Sequence, residues 1–127
     1  TYTNVPNLSV TITPTSTSSR FLLIATVDDG NGQSSGSWNY WAFARGGTGL
    51  GLPTGASVFN AFAISRHFDN TNMLTTNFSY VDSPATASSV TYTVQWASYN
   101  SNTMYLNRRG IDTAFAGRSS LTVLEIA

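Results

Sequence analysis

The sequence has 127 residues, which fits one domain with a core of its own. It has no cysteine, so disulfides and thiolate metal sites are excluded. Six basic and six acidic residues give a formal net charge of zero, which argues against an electrostatic nucleic-acid binder. Charged residues make up only 9% of the chain, and Ser, Thr and Asn supply the polarity instead. This neutral, hydroxyl-rich composition favours an extracellular or virion protein over a cytosolic one.

Alternation of apolar with polar residues between turn clusters predicts about eight strands. Residues 1–7 are expected to form an arm that leads into a single domain spanning 1–127. The predicted strands are Leu8–Thr13, Arg20–Val27, Ser37–Arg45, Val58–His67, Met73–Val81, Val90–Ser98, Thr103–Arg108 and Ser119–Ile126. This number and spacing predict an all-β fold, an antiparallel β-sandwich of jelly-roll type.

Three of the segments between these strands bear on binding or on strand pairing. Asp28–Gly32 predicts a hairpin turn rather than a calcium loop, because the loop spacing and the closing Glu are missing. Gly46–Gly55 predicts a flexible loop and no phosphate site, since it lacks a Lys and no helix follows. Tyr99–Asn102 predicts a tight turn that pairs the strands on either side of it as a hairpin.

No stretch approaches the roughly 18 apolar residues of a membrane span, so membrane insertion is not expected. No basic segment followed by an apolar one opens the chain, so no leader is visible. Either a leader has been removed, or the protein leaves its cell by another route such as lysis.

Two predicted strands are apolar on both faces. In the second strand Leu22 and Ile24 lie opposite Phe21 and Leu23, and the last strand likewise alternates without a polar face. A strand with one wet face does not have this pattern. Either another subunit covers the second face, which predicts an oligomer, or a loop or the N-terminal arm covers it.

Six segments in order resemble the C-terminal domains of bacteriophage tail fibres and collagen-like virion fibre proteins. They are Leu8–Arg20, Tyr80–Thr86, Thr91–Gln95, Tyr105–Arg108, Asp112 and Ser120–Ala127. The resemblance implies a jelly-roll sandwich, a homotrimer and a place at the distal end of a fibre, with Ala127 near the natural C-terminus. It implies no catalytic residue, and it does not extend to residues 30–77, a stretch that in fibre tips often holds specificity.

The sequence offers little for catalysis. A Ser/His/Asp triad would need His67, the single histidine, and no nucleophile-elbow motif accompanies it. A glycosidase needs two carboxylates across a cleft, whereas the six acids are scattered and three of them lie in turns. We therefore expect no enzymatic activity, no cofactor and no metal.

The aromatic segment around residue 40 is the best candidate for binding. Trp38 and Tyr40 share one strand face, and Trp41 lies on the other with Phe43. Either all of these rings belong to the core, or one face is exposed and stacks on sugar rings. In the second case the candidate ligand-binding residues are Tyr40, Trp41, Arg45, His67 and Asp69.

A second set of residues is a candidate for contacts between subunits. Arg108, Asp112 and Arg118 surround the last loop and predict either inter-subunit salt bridges or an anionic-glycan patch. Glu125, on an otherwise apolar strand face, is expected to pair with an Arg across a subunit axis. Leu22 and Ile24 complete this set.

The prediction is a homotrimeric attachment domain at the tip of a virion fibre, outside the cell, that binds a host-surface receptor through a carbohydrate. One alternative is a structural trimerisation or decoration knob that has no host ligand. A further alternative is a glycan-cleaving enzyme.

Overall fold

The computed structural model describes residues 1–55 and 59–126, and nine strands lie within them. The strands are β1 (Thr3–Ile12), β2 (Arg20–Asn31), β3 (Ser37–Arg45), β4 (Thr48–Leu50), β5 (Ala63–His67), β6 (Leu74–Asp82), β7 (Val90–Ser98), β8 (Met104–Leu106) and β9 (Ser120–Ile126). A short 3-10 turn, Tyr99–Ser101, follows β7. The predicted all-β fold is confirmed.

The strands form two antiparallel sheets. Sheet one has the order β1-β7-β3, and the free edge of β3 pairs with β5 along its first half and with β4 at its end. In sheet two β6 pairs with one edge of β2, while β9 and β8 share the other edge. Successive strands therefore alternate between the sheets through much of the chain.

The core lies between the two sheets. Alternate residues of β2, from Phe21 to Val27, are fully buried and face aromatic and aliphatic side chains of β3 and β7. The ring centroids of Phe43 and Phe78 are 4.7 Å apart, and those of Phe21 and Tyr92 are 5.6 Å apart. Each such buried ring contributes about 1.5–3 kcal/mol relative to an exposed one. The two sheets thus form a β-sandwich.

The N-terminal segment is a strand and not an arm. β1 begins at Thr3 and pairs with β7, and its Val5 and Leu8 side chains are buried in the core. The pairing shifts register between Asn4 and Ser9, where Pro6 has no N–H to donate. The prediction of an arm over residues 1–7 is wrong from Thr3 onward, because the apolar residues in it complete the core.

Two segments that were predicted as a turn and a loop contain strand residues. β2 continues through the predicted turn to Asn31, where Gly30 lets the backbone of Arg108 approach: a Cβ on Gly30 would lie 2.4 Å from the Arg108 carbonyl oxygen. Gly46 and Gly47, with φ of 55° and 85°, form a two-residue turn that pairs β4 with β3. Positive φ at both turn positions matches the twist of a hairpin, so this part of the glycine-rich segment is ordered.

β7 and β8 do not form the predicted hairpin. β8 pairs instead with the end of β2, Asp29 to Asn31, in the other sheet. Asn100 and Ser101 both have positive φ, and this turn takes the chain from sheet one to sheet two. The strand predicted to begin at Val58 begins at Ala63, and Val58 itself lies outside the described residues.

Candidate functional site

An aromatic group on the outer face of sheet one stands out from the neutral surface. Trp38 on β3 is the direct cross-strand partner of Arg66 on β5. Alternation turns both side chains away from the core, and Phe68 follows Arg66 after the strand ends. Tyr99, in the turn after β7, is the fourth member. We call Trp38, Arg66, Phe68 and Tyr99 the aromatic platform.

The members of the platform contact one another. The guanidinium carbon of Arg66 lies 4.6 Å from the Trp38 ring centroid and 5.4 Å from that of Phe68. Trp38 meets Tyr99 edge to face, with centroids 5.5 Å apart. Phe68 is 71% exposed, whereas Trp38 and Tyr99 are exposed by 36% and 38%. The platform is therefore a pre-assembled aromatic surface that carries one cation.

A buried polar network lies beneath the platform, on the inner face of the same strands. The Asp29 carboxylate oxygen Oδ2 is 2.8 Å from Nε2 of His67 and accepts a hydrogen bond from the Ser65 hydroxyl at 3.2 Å. The same oxygen accepts from the amide of Asn39. Trp41 Nε1 donates to Ser65 at 3.3 Å. Because Asn39, Ser65 and His67 alternate with the exposed residues, the network fixes the strands that present the platform.

The candidate ligand residues Trp41 and His67 are fully buried. Trp41 packs on Trp96 in the core, and His67 belongs to the polar network. Their inclusion in an exposed ligand patch is therefore wrong, because both side chains face inward. Tyr40 is on the outer face, as the alternation predicts, but Phe59 stacks on it at 4.3 Å and leaves it 7% exposed.

The other two candidate ligand residues, Arg45 and Asp69, form hydrogen bonds within the chain. Arg45 lies away from the platform, and Asp69 lies beside it. Arg45, at the far end of β3, donates from Nη1 to Oδ2 of Asp82 at 2.5 Å, and Tyr92 donates to the same oxygen at 2.7 Å. Asp69 follows Phe68, but its Oδ1 accepts hydrogen bonds from the Thr71 side chain and backbone, each 2.7 Å long. These bonds lower the pKa of Asp69 and make its carboxylate part of a turn.

Trp38 was identified in the aromatic segment, but Arg66, Phe68 and Tyr99 were missed because the sequence indicates the face of a strand and not its pairing partner. Alternation in residues 64–68 already places Arg66 and Phe68 on one face, opposite His67. What the sequence does not contain is the pairing of that face with Trp38 across two strands.

Three of the four polar candidates for subunit contacts, Arg108, Asp112 and Glu125, have partners within the chain. Arg109 binds Asp112 in a bidentate pair at 2.6 and 2.8 Å, while Arg108 donates to backbone carbonyls and lies over the Tyr105 ring. Arg118 is exposed. Glu125 accepts from the backbone and hydroxyl of Thr15 at 2.7 and 2.8 Å. A role of these residues between subunits stays a prediction.

The outer face of sheet two carries uncovered apolar side chains. Leu22 on β2 has Val81 and Leu124 as its cross-strand partners, and Ile24 follows Leu22 on the same face. Leu124 is 50% exposed, Val81 44% and Ile24 38%. We call these four side chains the apolar row. The N-terminal strand lies in the other sheet, so the alternative in which that segment covers this face is wrong.

Two shallow depressions flank the turn after β7. One has a volume of about 250 Å³ and the other about 270 Å³, and both are lined by Ser101 and Asn102. Their walls are mainly polar, with the Ser98 and Thr103 side groups and Gln33 among them. Both are smaller than the usual pocket for a drug-sized ligand, but hydroxyl and amide groups of this kind suit sugar hydroxyls.

Residues 1–55 and 59–126 contain no group of three or more His, Asp or Glu side chains placed to hold a metal ion. Over the same residues no helix has the length and apolar character needed to cross a bilayer. No family model matches the chain, and no curated protein shows significant similarity to it.

Proposed function

We propose that this chain is a non-enzymatic attachment domain, the distal domain of a virion fibre or spike, which assembles as a homotrimer and binds a host-surface glycan through the aromatic platform. The single observation that carries the binding role is the exposed contact of Trp38 and Phe68 with Arg66. Sugars present flat C–H faces that stack on aromatic rings, and their hydroxyl groups need polar neighbours. The platform supplies the rings. The two depressions share no lining residue with it, but Ser101 and Asn102, which follow Tyr99 in the same turn, line both and offer polar groups.

The fibre setting rests on the resemblance of the six sequence segments. The strand order is in keeping with a jelly roll, because β1, β7, β3 and β5 form one sheet while β2 and β6 lie in the other. Three identical platforms on one rigid head would raise avidity through effective concentration, so each site can be weak.

The hydrogen bonds that the carboxylates form within the chain support a binding function over catalysis. Each of the six acidic side chains accepts a hydrogen bond from within the chain, and Asp29 is fully buried. A glycosidase would need two carboxylates facing each other across an open cleft.

The platform predicts that Trp38→Ala weakens adsorption of the protein to host cell envelopes. Truncation of a central aromatic contact costs about 2 kcal/mol or more, roughly thirtyfold in affinity per site. Retention of the protein on cell-envelope preparations of candidate bacterial hosts, measured by pull-down, should fall accordingly while circular dichroism stays unchanged.

Phe115→Ala is the matched control, because Phe115 is exposed to 58% on a different loop and should leave retention intact. Periodate oxidation of the envelope should abolish retention, and protease treatment should not. Retention that resists periodate but not protease would mean a protein receptor and would overturn the glycan assignment.

The second candidate function is a structural knob that trimerises or decorates a fibre. The apolar row favours it, since this surface needs a partner whether or not a host ligand exists. A well-folded trimer without adsorption to any candidate host would leave this function in place of attachment.

A further inference from the structure

Arg66 differs from the other arginines that contact aromatic rings. The Arg109 guanidinium lies over Phe115 but is neutralised by Asp112, and Arg108 lies over Tyr105 but donates to two backbone carbonyls. Within residues 1–55 and 59–126, the Arg66 side chain has its two ring contacts and forms neither a hydrogen bond nor an ion pair. Its N–H donors are therefore directed to solvent.

The rings hold this side chain in position without using its hydrogen-bonding capacity. Aromatic rings attract the guanidinium face, whereas all five N–H donors lie in the guanidinium plane. Trp38 is fixed opposite Arg66 by strand pairing, and Tyr99 supports Trp38 from its edge. A planar cation with ordered, unused donors is the group that binds a carboxylate or a phosphate in a bidentate manner.

Among residues 1–55 and 59–126, no side-chain carboxylate forms an ion pair with this cation. The nearest acid in sequence, Asp69, directs Oδ1 to Thr71 and Asn72. Asp29, on the same side of the molecule, lies beneath the sheet and is fully buried in the polar network. The platform therefore carries an uncompensated positive charge on a chain whose formal net charge is zero.

We infer that the platform binds an acidic saccharide, with the sugar ring stacked on Trp38 or Phe68 and its anionic group paired with the guanidinium of Arg66. This inference rests on the proposed glycan-binding function and specifies its ligand class. The anionic group is a carboxylate, as in uronic and nonulosonic acids, or a phosphate ester, since both have the oxygens that Arg recognises.

The test uses the full chain on a saccharide array that pairs each acidic saccharide with its neutral counterpart. Carboxylated sugars are printed beside carboxyl-reduced forms, and phosphosaccharides beside dephosphorylated forms. Binding should be stronger to the acidic member of a pair by on the order of tenfold to a hundredfold, because hydrogen bonds to charged groups are the strong ones. The two arms distinguish carboxylate from phosphate.

Arg66→Gln should remove this preference and leave residual binding to the neutral forms through the rings. Arg20→Gln is the matched control, because it deletes one exposed positive charge at the start of β2, in the other sheet, and should retain the preference. Raised salt should weaken the acidic pairs selectively, since the contact is near the surface.

The results distinguish failure of the acidic-ligand inference from failure of the proposed attachment function. Equal binding of acidic and neutral members, insensitive to Arg66→Gln, would overturn the acidic-ligand inference and leave the attachment function standing. An array without any bound saccharide, together with retention on envelopes that survives periodate, would overturn both.

Discussion

Because side chains alternate between the two faces of β3 and β5, residues next to each other in these strands have opposite roles. Trp38 and Arg66 face solvent, while Asn39 and His67, next to them in sequence, form the buried network around Asp29. A buried carboxylate is tolerated only when several donors satisfy it. At Asp29 the donors come from β3 and β5, so the network ties β2 of sheet two to the strands that carry the platform.

The network makes Asp29 a residue on which stability depends. Asp29→Ala leaves His67, Ser65 and Asn39 without their shared acceptor, and we expect a loss of about 3–5 kcal/mol in the free energy of unfolding. Urea denaturation followed by tryptophan fluorescence measures it.

Asp28→Ala is the matched control at the adjacent position. The Asp28 side chain is half-buried and accepts a 3.3 Å bond from Thr75 at the surface, so we expect a loss below about 1 kcal/mol. Equal losses for the two variants would contradict the role assigned to the network.

The long loop between β8 and β9 is an element held by backbone contacts and one ion pair. Ile111 donates its N–H to the Asn70 carbonyl at 2.9 Å, and a Cβ on Gly110 would lie 1.9 Å from the Asn31 carbonyl oxygen. The loop therefore lies directly against the end of β2. Hydrogen bonds from Arg109, aided by the Ala114 N–H, lower the pKa of Asp112 to about 2.

The lowered pKa of Asp112 predicts part of the loss of folding stability at acid pH. Because the folded-state pKa of Asp112 lies below its ordinary value of 3.8, the ion pair contributes stability above about pH 4, and that contribution is lost as the pH falls toward 2. Asp112→Asn should make the unfolding free energy fall less steeply over this window. The measurement is a series of urea denaturation curves between pH 5 and pH 2.

Arg109→Gln removes the partner of Asp112 instead of the acid. It should likewise make the unfolding free energy fall less steeply with decreasing pH over the same window. A slope in both variants that matches the unmodified protein would show that the pair does not contribute to acid stability.

At the scale of the whole molecule, the two outer faces have different chemistry. Sheet one presents the aromatic platform with its cation, and sheet two presents the apolar row without a charged side chain in it. Neighbouring rows on sheet two hold Ser79 and Thr122 beside Ile24, so the apolar surface has a polar rim. This division fits a trimer that buries sheet two and leaves the platforms free.

The apolar row predicts that Leu124→Lys dissociates the proposed trimer without unfolding the subunit. A charge placed at the β9 end of the row would have to be buried unpaired on assembly, whereas Leu124 is half-exposed in the single chain. Light scattering at micromolar concentration should show trimer for the unmodified chain and monomer for the variant.

Ile111→Lys is the control for this variant, since Ile111 is similarly exposed but lies on the loop before β9. A monomeric unmodified chain, or a trimer that tolerates Leu124→Lys, would contradict the assembly.

The sequence by itself determined the local features of this protein. Period-2 alternation placed most strands, identified the inward residues of β2 and separated Trp38 and Tyr40 from Trp41, because side-chain direction in a strand follows from position alone. Composition determined the neutral, cysteine-free character of the chain.

The tertiary structure decided what depends on pairing between distant segments. It joined β8 to β2 rather than β7, placed residues 3–7 in the core, buried His67 against Asp29 and brought Arg66 opposite Trp38. These outcomes depend on strand register and on which sheet a segment joins, and short apolar runs do not encode either. The candidate site shifted from Trp41 and His67 to the outward-facing Trp38, Arg66 and Phe68, because a binding surface is assembled across strands.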